Sequence, residues 1–393
     1  MLKNIFNNKK LLKEIFIFTG VCWAYVILSS FSFDILDTSK QDSFINILSG
    51  NKEGLRLFQF NLFPFIISSL IFYLISWIIP ETKMNNKEGF VGQQKNKQII
   101  IYASYTITFF LSIYITFTAI QENLFYPKYQ NFGGYFLLFS ILAIPTILLI
   151  GFANYINKYS LISGTSTVIF ANYLNIIPTK YNDFKHIWNT TTLSTNNNSN
   201  YIIAITILII LTIVYNTDIR RICIDFPNRN VIHKKYANKD VHIPMKTNTY
   251  GMFAILLATY LFPIFDIYCQ NANINNNLNS LLKNFIIFMI SFIFSFSRTN
   301  AKSISNMILK TNGKLKNSED NSKLRFKIYF TVFINSIYSS TLLLFIFLLC
   351  EYISNFFAVE SGMNLASMVI VFSNIIIDVY KNIKNNLYIA KIK

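Results

Sequence analysis

The chain has 393 residues, of which 53% are hydrophobic and only 13% are charged, and its net charge is +17. Soluble proteins carry about 25% charged residues, so this chain has too few charges to cover a water-facing surface. The composition excludes a soluble globular protein and indicates an integral membrane protein. Its four cysteines and three histidines show no ligand or catalytic spacing, so no metal site, cofactor or catalytic residue is predicted.

Apolar runs of transmembrane length recur along the whole chain. A helix needs about 20 apolar residues to cross about 30 Å of hydrocarbon. Nine runs are clear, and a tenth at 162–178 is shorter and more polar. The predicted spans cover residues 14–33, 55–79, 99–121, 133–157, 162–178, 201–217, 251–269, 281–297, 326–350 and 362–380. The predicted fold class is an all-α polytopic membrane protein with ten transmembrane helices.

The distribution of positive charge supports all ten spans. With a cytoplasmic N-terminus, 28 of the 35 Lys and Arg residues lie in cytoplasmic segments, as the positive-inside rule expects. The seven on the opposite side are Lys40, Lys52, Arg56, Lys128, Lys180, Lys185 and Lys283. Omitting the polar span at 162–178 would invert every later loop and place the basic loop 218–250 outside. Both termini are therefore predicted to be cytoplasmic.

Polar residues interrupt the second and fifth spans. In the second, Asn61 and Pro64 predict a break near 61–64, because Pro removes a backbone donor. This break is either an ordinary kink or a functional one. Ser68, beyond the break, is likewise explained either by function or by close packing of a small residue between helices. In the fifth, residues such as Asn172 indicate a helix that faces water, or one that forms hydrogen bonds with other helices.

Two long cytoplasmic loops, 218–250 and 298–327, carry much of the basic charge. One interpretation is that this charge only orients the chain in the membrane. Orientation does not require loops of this length, so the alternative is a docking surface for an acidic or ribonucleoprotein partner. Carboxylates lie only near span ends, which argues against an ion-coupled transporter.

Five segments in order resemble the SecY family of protein-conducting channels. HIPMKTNTYGMFAILLATYLFP (242–263) resembles the start of that family's seventh helix, and TDIRRICIDFPNR (217–229) its segment after the sixth. The others are NYINKYSLISGTSTVIFANYLNIIP (154–178), NLFPFIISSLI (61–71) and, in the plug region, FINILSGN (44–51). The resemblance implies a clamshell of two inverted five-helix halves, residues 1–178 and 179–393, with a plug region near 35–53.

The resemblance also implies functional residues. The pore ring of the family maps onto Leu62, Ile66, Ile169, Tyr173 and Leu256. The lateral gate would include Asn61, Pro64, Ser68 and Thr259. A motor or ribosome would dock on Arg220, Arg221, Arg229, Lys234, Lys235 and Lys246.

The implied function is passive conduction of secreted polypeptides across the cell membrane. The implied partners are a SecA-type motor ATPase, small SecE/SecG-like subunits, lipid and unfolded polypeptide, with no nucleic acid except ribosomal RNA. The loop at 315–323 lacks the family's Arg-Pro-Gly, which favours the accessory SecY of low-GC Gram-positive bacteria, an exporter of serine-rich glycoprotein adhesins. The alternatives are a housekeeping SecY of an AT-rich reduced or organellar genome, a small-solute transporter or lipid flippase, and a scaffold with a closed pore.

Overall fold

The computed structural model describes most of the chain, with gaps mainly in the loops. The described residues are 9–36, 55–78, 90–121, 123–157, 159–160, 162–175, 198–225, 241–246, 251–271, 276–298, 304–306, 308, 314–315, 321–357 and 362–392. They include 35 and 36 of the predicted plug region, the rest of which lies outside the described residues.

Ten helices of three turns or more are present in the described residues, one in each predicted span, which confirms the all-α polytopic fold. They are α1 Lys9–Ser29, α2 Phe63–Ile78, α3 Phe90–Gln121, α4 Phe132–Ile156, α5 164–175, α6 Asn198–Thr217, α7 Gly251–Asn271, α8 Asn276–Arg298, α9 Asn321–Phe357 and α10 Gly362–Ile392. Six of them are long and apolar enough to cross a membrane by length and composition alone. The helix α5 shows that the polar stretch around Asn172 is helical despite its weak hydropathy.

The second predicted span begins eight residues later than the sequence suggested. Residues Leu55–Arg56 form a short strand, the chain then turns, and α2 begins only at Phe63. Asn61 has a φ of 46°, in the left-handed region, and a helix cannot continue through that conformation. Pro64 then lies in the first turn of α2, where its missing N–H costs no hydrogen bond. The predicted break at 61–64 is therefore confirmed, and it is the start of a helix.

Two short antiparallel strands bring the two ends of the predicted plug region together. Strand β1, Ser32–Phe33, pairs antiparallel with β2, Leu55–Arg56. Leu36 forms a bridge with Phe125 in the connection between α3 and α4. The buried hydrophobic cluster around this point contains Ile35, Leu36, Leu55, Phe60, Ile115, Ala119, Leu124, Phe125, Leu138 and Leu142. Burial of these apolar side chains holds both ends of the segment against α3 and α4.

A stripe of small polar residues lines the buried face of α3. Ser104, Thr108 and Ser112 are fully buried, and Thr116 continues the same face one turn later. Each hydroxyl donates to a backbone carbonyl of its own helix, for example Thr108 Oγ1 to Ser104 O at 2.7 Å. Since their hydrogen bonds are satisfied locally, these small side chains allow close packing of α3 against α2 and α4.

The two basic loops are joined by a three-stranded antiparallel sheet, which the sequence analysis did not predict. Strand β3, Ile219–Asp225, pairs along its length with β4, Val241–Lys246. On its other edge, β3 pairs with the two-residue strand β5, Lys314–Leu315, from the second loop. The central strand follows α6 directly, so the sheet begins where that helix ends.

The described residues group into two compact units. The first includes those within Met1–Asn200, Thr259–Asn275 and Ser367–Lys393, and the second those within Tyr201–Ala258 and Asn276–Ala366. The chain passes from one unit to the other within α6, within α7, between α7 and α8, and within α10. The predicted organisation as inverted halves with a boundary at 178 stays a prediction.

Candidate functional site

Four of the five predicted ring residues lie in the first unit, in two helical pairs. Leu62 and Ile66 are each 1% exposed, and the Ile66 N–H donates to the Leu62 carbonyl at 3.0 Å. In α5, Ile169 and Tyr173 are also buried and likewise four residues apart. Residues at this spacing share one face of a helix. The start of α2, with Leu62 directly before it, and α5 thus each present a pair of bulky side chains, together three aliphatic and one aromatic.

The fifth predicted ring residue, Leu256, lies in the part of α7 that belongs to the second unit. It is buried, as are its neighbours Ala254, Ile255, Leu257 and Ala258. The assignment of the five residues to one ring stays a prediction.

The polar face of α5 has neighbours within the first unit. Tyr25 of α1 donates its hydroxyl to Asn172 Oδ1 at 3.2 Å. Phe170 packs against Phe18 of α1 and Phe372 of α10, with ring centroids 5.7 and 5.0 Å apart. Of the two sequence interpretations for Asn172, these contacts favour hydrogen bonding between helices.

The predicted gate residues lie mainly at the start of α2. Asn61 is 6% exposed and sits in the left-handed turn, and Pro64 follows in the first helical turn. Ser68 is buried and donates to the Phe65 carbonyl at 2.9 Å. Thr259 is half-buried in α7, at the point where the first unit's part of that helix begins. Ser68 therefore packs as a small residue whose hydroxyl is already bonded.

Sequence analysis missed Gln59 in the turn before α2. Its Oε1 accepts the Arg56 N–H at 3.0 Å, while its Nε2 is buried and has no hydrogen-bond partner among the described residues. The buried Oδ1 of Asn61 likewise has none there. The signal in the sequence was a second polar amide two residues before Asn61, in an otherwise apolar stretch.

The two adjacent arginines of the predicted docking loop 218–250 occupy different environments. Arg220 lies over the ring of Tyr338 in α9, with its guanidinium carbon 5.8 Å from the ring centroid. Successive strand residues point to opposite faces of a sheet, so Arg221 lies on the face away from Tyr338. Both side chains are exposed. Arg220 thus has a cation–π partner within the chain, and Arg221 presents its charge to the other side.

The remaining predicted docking residues are only partly covered by the structure. Lys246 is the last residue of β4 and pairs with Ile219 in the sheet register. Arg229, Lys234 and Lys235 lie outside the described residues. Ser295 of α8 and Ser339 of α9 form a buried hydrogen bond at 2.8 Å, which links the helix that carries Tyr338 to its neighbour.

No metal-binding cluster of three or more His, Cys, Asp or Glu residues occurs within the part of the chain that the structure describes. The three cysteines described, Cys22, Cys269 and Cys350, are buried and unpaired with one another.

Ten helices in the described residues, six of them long and apolar enough to cross a membrane, define a multi-pass membrane protein. The SecY family model matches residues 56–380, and the chain belongs to the SecY family. The same fold occurs in a solved protein-conducting channel, with a TM-score of 0.61 and 14% identity over 93% of this chain and 91% of the other. A yeast Ssh1 complex solved on the 80S ribosome is similar with a TM-score of 0.51 and 11% identity, over 91% of this chain and 87% of the other.

Curated relatives share sequence over part of the chain. The protein translocase subunit SecY of Rickettsia conorii is 26% identical over 235 residues, which cover 58% of this chain and 54% of the relative. The corresponding subunit of Corynebacterium glutamicum is 25% identical over 237 residues, covering 57% and 52%. The chain thus aligns with about half the length of these relatives.

Proposed function

We propose that this protein is the central pore subunit of a protein translocase, which conducts unfolded polypeptides passively and has no catalytic role. The observation that carries this proposal is the family match across residues 56–380. The energy would come from a cytosolic SecA-type motor ATPase or from a ribosome, either of which would dock on the sheet formed by the two basic loops. Small SecE- and SecG-like subunits would complete the channel in the cell membrane.

The physical basis of the pore is the set of bulky apolar side chains Leu62, Ile66, Ile169, Tyr173 and Leu256. A constriction of such side chains expels water and blocks ions, yet its side chains move aside around a polypeptide. Tyr173 adds a hydroxyl to an otherwise aliphatic set, so its ring is the bulkiest and most polar member.

Translocation by the reconstituted channel tests the function. The full chain with its small subunits and motor is placed in proteoliposomes, and protease protection of a secretory polypeptide is measured with ATP. Protected polypeptide is expected only when channel, motor and ATP are all present. Transport of a small solute by the chain alone, without protected polypeptide, would support the transporter alternative.

Ion leak tests the ring. Replacing Ile66 with Gly should raise the ion conductance of the closed channel, because removal of a bulky side chain allows the constriction to wet. Ile150→Gly in α4 is the matched control, since Ile150 is an equally buried helical isoleucine outside the predicted ring. The ring assignment is wrong if conductance is unchanged, or if both variants raise it equally, as general loosening of the structure would.

We further propose that the chain serves an accessory system for serine-rich glycoprotein adhesins. The missing Arg-Pro-Gly in the stretch 315–323 supports this, because a general motor would need it. The relatives named above, described simply as SecY, support the housekeeping alternative. Pull-down of purified motors separates the two: an accessory subunit should bind a dedicated second motor in preference to a general one.

A further inference from the structure

Two buried side-chain atoms in the turn before α2 lack hydrogen-bond partners within the described part of the chain, Gln59 Nε2 and Asn61 Oδ1. One is a donor and the other an acceptor. A buried polar group without a partner costs about 1–3 kcal/mol, so such atoms are rare unless something else satisfies them. Here a donor and an acceptor are left open two residues apart.

Neighbouring polar groups in the same stretch are satisfied. The other amide oxygen of Gln59 accepts from Arg56, and the Asn61 N–H donates to the Phe58 carbonyl at 3.0 Å. Ser68 and Ser69 in α2 both donate to backbone carbonyls. The two open atoms are therefore a local feature of this turn, which the rest of the stretch does not share.

The chemistry of the pair restricts what can satisfy it. A metal cation would bind the Asn61 oxygen but be repelled by the Gln59 amide hydrogens, and an anion would do the reverse. An extended polypeptide offers an N–H and a C=O from one residue along one edge, so it carries a partner for each of the two atoms. Asn61 also directly precedes Leu62, the first residue of the predicted ring.

We propose that Gln59 and Asn61 form a hydrogen-bonding station for the backbone of the polypeptide in transit. Gln59 Nε2 donates to a cargo carbonyl, and Asn61 Oδ1 accepts a cargo N–H. An apolar ring strips water from the cargo backbone, and unsatisfied peptide groups are costly there. The station replaces that water for one residue at a time, and it acts on any sequence because the backbone is common to all. This inference rests on the proposed translocation function.

A backbone-modified cargo tests the station in the reconstituted translocase. A secretory polypeptide is fused to a stable folded domain, which arrests it with a known segment at Leu62. In a second version, alternate residues of that segment carry backbone esters, which lack the N–H donor. The half-time of cargo release after ATP removal is measured for both versions.

The native channel should release the ester cargo about fivefold faster, the factor that one net hydrogen bond supplies. Asn61→Gly, which keeps the left-handed turn but removes the acceptor, should release both cargoes alike. Asn61→Asp retains the acceptor and should retain the difference.

Equal release of the two cargoes by the native channel would overturn the station while leaving translocation established. So would a fivefold difference that persists in Asn61→Gly, which would mean that a group other than Asn61 accepts the cargo N–H. Failure to translocate even the amide cargo would instead overturn the proposed function, and the station with it.

Discussion

Asn61 is the residue at which backbone conformation and the predicted pore meet. Its φ of 46° places it in a region that costs most non-glycine residues about 1 kcal/mol or more, whereas Asn tolerates it better. That conformation sets where α2 begins, and so places Leu62 and Ile66 relative to the preceding turn. A single backbone angle therefore positions two of the five predicted ring residues.

Asn61→Ala should lower the thermal stability of the purified chain, with a loss of about 1 kcal/mol. Asn61→Gly is the control, because glycine adopts positive φ without a side-chain clash. Thermal unfolding in detergent, followed by tryptophan fluorescence or circular dichroism, compares the two. Equal destabilisation by both variants would mean that the Asn61 side chain, rather than its φ, provides the stability.

The two arginines of the docking sheet should contribute differently to partner binding. Arg221→Glu should weaken binding of the motor or ribosome by about fivefold, as loss of an exposed ion pair worth about 1 kcal/mol predicts. Arg220→Glu should also detach the sheet from Tyr338, so it should alter proteolysis of the loop. Partner affinity at two salt concentrations and limited proteolysis measure these effects.

Tyr338→Leu separates attachment from charge, because it removes the cation–π partner and leaves both arginines. It should increase protease cleavage of the loop but change the affinity for the motor or ribosome only slightly. Unchanged partner affinity in Arg221→Glu would mean that the positive charge of the loop only orients the chain in the membrane.

At the scale of elements, the sequence predicted the helices well because nine of them are clear local apolar runs, and the distribution of Lys and Arg indicated the tenth, α5. Asn61 and Pro64 also predicted the break before α2, since both act on their own backbone. The pairing of β3 with β5 was missed because β5 contributes two residues from a loop about 90 positions beyond β3, a pairing that no local pattern records. The contact between Arg220 and Tyr338 was missed for the same reason.

The connection between α4 and α5 depends on Gly164. A Cβ built there would collide with the backbone carbonyl of Ala153, and the Gly164 N–H donates to Asn157 Oδ1 at 2.7 Å. Close approach of the two helices at this point therefore requires a residue without a side chain. The same connection sets the entry of α5, the helix that carries Ile169 and Tyr173.

Gly164→Ala should destabilise the protein and reduce its yield from membranes, because α5 must shift away from α4. Gly20→Ala in α1 is the matched control, as nothing lies within 4 Å of a Cβ built there. Thermal stability in detergent should fall for the first variant and stay the same or rise for the second. Similar values for both would show that the backbone accommodates the added methyl group.

For the whole molecule, the side of the membrane on which the Lys and Arg residues lie depends on the number of membrane spans. The predicted cytoplasmic segments hold 28 of 35 Lys and Arg residues only if the short polar helix α5 crosses the membrane. By length and hydropathy α5 is not among the six clear candidates, so its crossing rests on the charge pattern and the family fold. If it did not cross, the docking sheet would lie on the same side as the connection between α3 and α4.

Cysteine labelling shows directly whether the number of membrane crossings between two positions is odd or even. Lys128 and Arg221 are both exposed and are separated along the chain by α4, α5 and α6. Three crossings place them on opposite sides, so Lys128→Cys and Arg221→Cys should react with an impermeant maleimide in vesicles of opposite orientation. Background should be low once Cys223 is replaced by Ser, because Cys22, Cys269 and Cys350 are buried.

Lys95→Cys supplies the internal reference. Lys95 lies near the start of α3, before the predicted span 99–121, and only that span separates it from Lys128, so the two must label from opposite sides whatever α5 does. Arg221→Cys is expected to label from the same side as Lys95→Cys. If Arg221→Cys instead labels from the same side as Lys128→Cys, only two helices cross the membrane between these two positions. The basic sheet would then face away from any cytosolic motor, and the docking proposal would fail together with the ten-span topology.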